Sequence, residues 1–135
     1  MVRNISHIGI AVKNLDLSCE TFSKLLNLNQ AGREEVKDQG VKIAFFHVGG
    51  TSLELTESTT PSSPISKFIE KRGEGVHHIS LVVEDIHAEL DRLKSEGFQL
   101  IDEKPRVGAG GYLIAFLHPK STNGVLIEIS QKIEE

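Results

Sequence analysis

Four residues of this 135-residue chain stand at matched places in a repeated pattern: His7 with His78, and Glu54 with Glu128. His7-Ile8-Gly9-Ile10-Ala11-Val12 corresponds to His78-Ile79-Ser80-Leu81-Val82-Val83, an offset of 71. Gly50-Thr51-Ser52-Leu53-Glu54-Leu55 corresponds to Gly124-Val125-Leu126-Ile127-Glu128-Ile129, an offset of 74. Two imidazoles and two carboxylates suit zinc, cobalt, nickel, iron or manganese. Four protein ligands in an octahedral shell leave two positions for water or a bidentate substrate, which is what Lewis-acid chemistry needs. An isolated His or Glu on a strand is ordinarily a solvated or satisfied polar residue. Recurrence of the pair at matched places separates these four from that background.

Each of the four has to be held by a strand. Along a strand, alternate residues share a face. His7 therefore lies with Gly9 and Ala11, and His78 with Ser80 and Val82. Glu54 lies with Ser52 and Thr56, while Leu53 and Leu55 point away; Glu128 alternates in the same way with Ile127 and Ile129. The aliphatic faces are floors for helices, and the His/Glu faces, lined by smaller or polar side chains, leave room for a cleft. His77 is the rival of His78, but alternation sends it to the helix-packed face and the repeat aligns His78 with His7. His87, on a helix among acidic residues, reads as solvated. His118 sits at a strand end before Pro119, and His47 is read as having no counterpart in the repeat. Cys19 has no nearby base in sequence and is not read as a nucleophile.

The elements follow from pattern and punctuation. Residues 4–13 read as a strand, Asn14-Leu15-Asp16 as a turn and cap, and 17–27 as a helix with Phe22, Leu25 and Leu26 on one side. Strands are expected near 29–36, 41–48 and 51–57. TTPSSP (59–64) is a linker, and Pro64 opens a short helix that stops at Gly73. The order then recurs: a strand at 76–83, a helix over 86–96 capped by Glu84-Asp85, a short strand near 98–101, a Gly-rich loop at 107–111, and strands at 112–118 and 125–131. A repeat of this size means two modules that bury a face against each other. The organisation is one domain: a first βαβββ module over 1–58, a linker with a short helix over 59–75, and a second βαβββ module over 76–132. The class is α+β, with a curved, mostly antiparallel sheet around a metal-binding cleft.

Composition bounds the function class. The net charge is −4 with acids and bases interspersed, and no basic stripe marks a nucleic-acid footprint. Six Phe, one Tyr and no Trp leave base-stacking platforms without support. No run of eighteen apolar residues calls for a membrane span, and MVRNISHIGIAV lacks the order of a secretory signal. A single cysteine makes no internal disulfide, so a cytoplasmic setting is expected.

The strands SHIGIAV and HHISLVV and the ends SLELTE and GVLIEIS resemble the paired module of the vicinal-oxygen-chelate superfamily (the glyoxalase/bleomycin-resistance group), over essentially the whole chain. SPISKFIEKRGEGVHHISLVVEDI, DEKPRVGAGG and IAFLHPKSTNGVLIEI are most similar to its methylmalonyl-CoA epimerase branch. That resemblance implies epimerisation of an acyl-CoA substrate, (2R)- and (2S)-methylmalonyl-CoA, through a planar enolate that needs an acid/base group on each face. It implies Glu128 as one base and Glu54 as ligand and second base. Some members carry a Glu on the strand matching residues 41–46, where this chain reads VKIAFF, and some carry an amide where Glu54 stands. It further implies a homodimer and one divalent ion, cobalt first, with zinc, nickel or manganese as alternatives. A glyoxalase-type isomerase acting on a glutathione hemithioacetal is the second reading. Lys67, Lys71, Arg72 and Lys120 read as solvated cations.

Overall fold

The computed structural model describes residues 1–134. Along the chain run β1 (Val2–Ala11), α1 (Leu15–Leu26), β2 (Gly32–Val36), β3 (Val41–Val48), β4 (Thr51–Ser58), α2 (Pro64–Arg72), β5 (Gly75–Val83), α3 (Ile86–Ser95), β6 (Arg106–Val107), β7 (Tyr112–Leu117) and β8 (Ile127–Lys132). The order strand, helix, strand, strand, strand is thus traversed twice, with α2 between the two passes, as the repeat requires.

Two compact units result, one of residues 7–77 and one of residues 1–6 with 78–134. In the first, the sheet order is β2-β3-β4-β1. β2 and β3 are antiparallel, as are β3 and β4, while β1 runs parallel to β4 with Gly9 opposite Glu54. In the second, the order is β5-β8-β7-β6, with β5 parallel to β8, Ser80 opposite Glu128, and the other pairs antiparallel.

Helix ends are set by side chains that satisfy otherwise orphaned backbone N–H groups. Asn14 Oδ1 accepts from Leu17 N at 3.1 Å, Ser63 Oγ from Ser66 N at 3.2 Å, and Asp85 Oδ1 from Ala88 N at 3.1 Å. α1 and α3 each cover the aliphatic face of their own unit. Val12, Leu15, Cys19, Ala44, Phe46 and Leu55 form one core. Val83, Ile86, Leu90, Leu93, Ala115, Leu117 and Ile129 form the other. Ala44, Phe46 and Leu55 stand where Ala115, Leu117 and Ile129 stand in the second unit, so packing repeats along with sequence.

The strand expected near 98–101 is not formed. Leu100 makes only an isolated bridge to Leu117, and the segment is tied down by Ile101 N donating to Phe116 O at 2.9 Å. The third strand of the second unit is instead the two-residue β6, at the edge of the stretch read as a Gly-rich loop. Two residues between Pro105 and Gly108 are too few to show any periodicity.

Candidate metal centre

In the first unit, the register that puts His7 opposite Ser52 and Gly9 opposite Glu54 brings the imidazole diagonally onto the carboxylate. His7 Nδ1 lies 3.1 Å from Glu54 Oε2. Bonds of about 2.1 Å to a common ion place neighbouring ligand atoms about 3 Å apart, so this pair has the spacing of two ligands of one ion. Gly9 has no side chain to intervene, and Phe45 flanks Glu54 from β3. Burial lowers the His7 pKa to about 4, so the ring is neutral near pH 7 and holds a lone pair for a cation.

In the second unit, His78 and Glu128 offer ligand atoms within 4.8 Å of each other. Glu128 is 4% exposed. Burial raises its pKa to about 7, against the opposing influence of a hydrogen bond from Ser80 and of the Arg106 charge. The Ser80 hydroxyl is also bonded to Ser130 Oγ at 3.0 Å. Phe116, opposite Glu128 on β7, receives the His78 ring edge-on at 5.6 Å between centroids. The two half-sites therefore share one plan. In each, a His stands on the first strand and a Glu on the last, the Glu lies between a small residue (Gly9 or Ser80) and a phenylalanine (Phe45 or Phe116), and all are on the face away from the helices. Imidazole and carboxylate are the donor set of a borderline divalent ion, so the residues of each half fit such a group.

The remaining histidines separate cleanly. His77 faces α2, edge-on to Phe68 at 5.1 Å, and burial lowers its pKa to about 4. His87 is exposed on α3. His118 Nδ1 accepts Lys120 N at 3.1 Å and so caps a short turn. His47 lies 2.8 Å from Ser52 Oγ. Contrary to the sequence reading, His47 does have a counterpart: Ile43-Ala44-Phe45-Phe46-His47 matches Ile114-Ala115-Phe116-Leu117-His118 at the same offset of 71. Both histidines end equivalent strands, and neither is in a half-site. Cys19 is buried, with its thiol pKa pushed up chiefly by that burial, in keeping with a packing role. Lys67, Lys71, Arg72 and Lys120 are all exposed.

Two residues escaped the sequence reading. Phe116 sits inside an apolar run that gives no sign of its neighbour across the sheet. Arg106 lies on β6 opposite Ile114, on the face that carries Glu128. Neither has a signal in composition; the match of IAFF with IAFL could have found Phe116.

The sequence profile of the Glyoxalase/Bleomycin resistance protein/Dioxygenase superfamily matches residues 6–116. The chain is 36% identical to an ethylmalonyl-CoA/methylmalonyl-CoA epimerase of Cereibacter sphaeroides, over 97% of this chain and 99% of that protein. Among solved structures, a methylmalonyl-CoA epimerase from Mycobacterium tuberculosis superposes with a TM-score of 0.94 at 35% identity, covering 98% of this chain and 90% of the other. A methylmalonyl-CoA epimerase in complex with methylmalonyl-CoA and ammonium gives a TM-score of 0.94 at 33% identity, covering 98% and 96%. Repeat, fold and these likenesses agree: the chain belongs to the Glyoxalase/Bleomycin resistance protein/Dioxygenase superfamily.

Proposed function

We propose that this protein is a metal-dependent epimerase that interconverts (2R)- and (2S)-methylmalonyl-CoA by proton transfer at C2. The observation that carries the reading is the duplicated His/Glu half-site, in a chain that matches an ethylmalonyl-CoA/methylmalonyl-CoA epimerase over 99% of that protein. His7, Glu54, His78 and Glu128 together hold one divalent ion, cobalt first among the candidates. Bound there, the ion supplies Lewis acidity toward the substrate's carboxylate and thioester oxygens. The chain's own carboxylates move the proton. One of Glu54 and Glu128 removes the C2 hydrogen from one side, the resulting carbanion flattens, and the other returns a proton from the opposite side, inverting the centre. Phe45 and Phe116 each stand opposite one of these carboxylates on the neighbouring strand. No helix among the described residues is long and apolar enough to cross a membrane. The reading includes a cytoplasmic setting and a homodimer, the latter checked by size-exclusion chromatography.

The test is hydrogen exchange. Metal-loaded protein in deuterated water should replace the C2 hydrogen of methylmalonyl-CoA, read by proton NMR, and equilibrate the two stereoisomers. Turnover of a glutathione hemithioacetal with no exchange at C2 of methylmalonyl-CoA would move the assignment to a glyoxalase-type isomerase.

A further inference from the structure

We infer that Arg106 is the specificity residue that binds the free carboxylate of the substrate's acyl group; the inference rests on the epimerase reading. Its place in the sheet carries the argument. Arg106 is opposite Ile114, Ile114 is two residues from Phe116, and Phe116 is opposite Glu128. The side chain therefore emerges on the face that holds Glu128 and His78. The side chain is 49% exposed, and its guanidinium lies over the Phe116 ring, 6.0 Å from the centroid. Phe116 is the ring that also meets His78. A single phenylalanine thus orients both the cation and the imidazole.

The bland alternative is a structural ion pair with Asp102. That contact is long, 3.8 Å from Nε to Oδ1, and Asp102 is already engaged through Oδ2, which accepts Phe116 N at 2.9 Å. No hydrogen bond holds the guanidinium among the described residues. Asp102 steers the Nε side and leaves the terminal nitrogens for a planar anion, and a guanidinium matches a carboxylate with two parallel hydrogen bonds. Gly108, two residues along on the same side, adds no side chain beside Arg106; a Cβ there would come within 2.8 Å of Ile114 Cδ1.

Propionyl-CoA carries a methyl group where malonyl-CoA carries that carboxylate. Each is titrated calorimetrically into metal-loaded wild type and metal-loaded Arg106→Gln. Both proteins carry the ion, so its share of the preference cancels. The expected result is a ten- to hundredfold loss of malonyl-CoA affinity, about the worth of hydrogen bonds to a charged group, with propionyl-CoA unchanged. Arg106→Lys, which keeps the charge without the fork, should recover part of the loss, and it carries the test alone if the Gln variant does not fold. Equal weakening of both thioesters would place Arg106 on the coenzyme phosphates and overturn the inference, as would no change in either. A wild type that binds neither thioester would instead remove the epimerase reading, and this inference with it.

Discussion

At the scale of single residues, the proposed chemistry turns on two carboxylates with different surroundings. Glu128 is buried at 4% exposure, between Ser80 and Phe116, whereas Glu54 is partly exposed, beside Gly9 and Phe45. Replacing either by Ala would confuse loss of the ion with loss of a base. Gln keeps the shape and still offers a carbonyl oxygen, but it accepts no proton at neutral pH. Each Gln variant should therefore retain metal and lose epimerisation by about 10²–10⁴-fold, the usual worth of a positioned base. Each should still exchange the C2 hydrogen of one stereoisomer with deuterated water, and the two variants should favour opposite stereoisomers. Wild-type epimerisation by Glu54→Gln would make Glu54 a ligand only. The next candidate is then Glu34: its partner Ile43 is opposite Thr56, which puts Glu34 on the Glu54 face, whereas Glu35 pairs with Lys42 on the other side.

At the scale of elements, the half-sites depend on how closely neighbouring strands and turns approach. β6 reaches β7 only because Gly108, which follows it, presents hydrogen alone to the buried Ile114. Gly108→Ala should destabilise the protein by about 1–3 kcal/mol, the range for overpacking a filled site, measured by urea unfolding. The atom met first is Ile114 Cδ1, at 2.8 Å, with Cγ2 at 3.0 Å. Ile114→Val removes the first and keeps the second, so the double variant should recover part of the loss. A Gly108→Ala protein as stable as wild type would show that the turn relaxes and that β6 is not positioned by this contact. Most elements could be placed from the sequence because their signals are local: Asn14 and Asp85 cap where capping chemistry says they should, and Pro64 and Gly73 bound α2. β6 could not, since its pairing is set by a partner strand and not by its own two residues.

At the scale of the whole molecule, the proposed ion would be linked to folding. A ligand that binds only the folded state stabilises it in proportion to the logarithm of its concentration over Kd. Adding cobalt to metal-free protein should raise Tm by several degrees, about 2.7 kcal/mol at a hundredfold excess over Kd. A chelator should reverse the shift. His78→Ala should abolish most of it, and His77→Ala, at a ring that meets Phe68 edge-on, should keep it. Equal shifts in wild type and His78→Ala would reject His78 as a ligand. The sequence by itself determined that there are two βαβββ modules, which residue of the pair His77-His78 faces away from the helix, and that a His and a Glu recur in each half. Strand periodicity and duplication are local properties, readable without coordinates. Only the tertiary structure decided that His7 Nδ1 stands 3.1 Å from Glu54, that Phe116 lies beside Glu128, and that Arg106 joins their face. Those facts depend on the register between strands that are far apart in the chain. Register is fixed by the packing of each aliphatic face on its helix, which no single strand encodes.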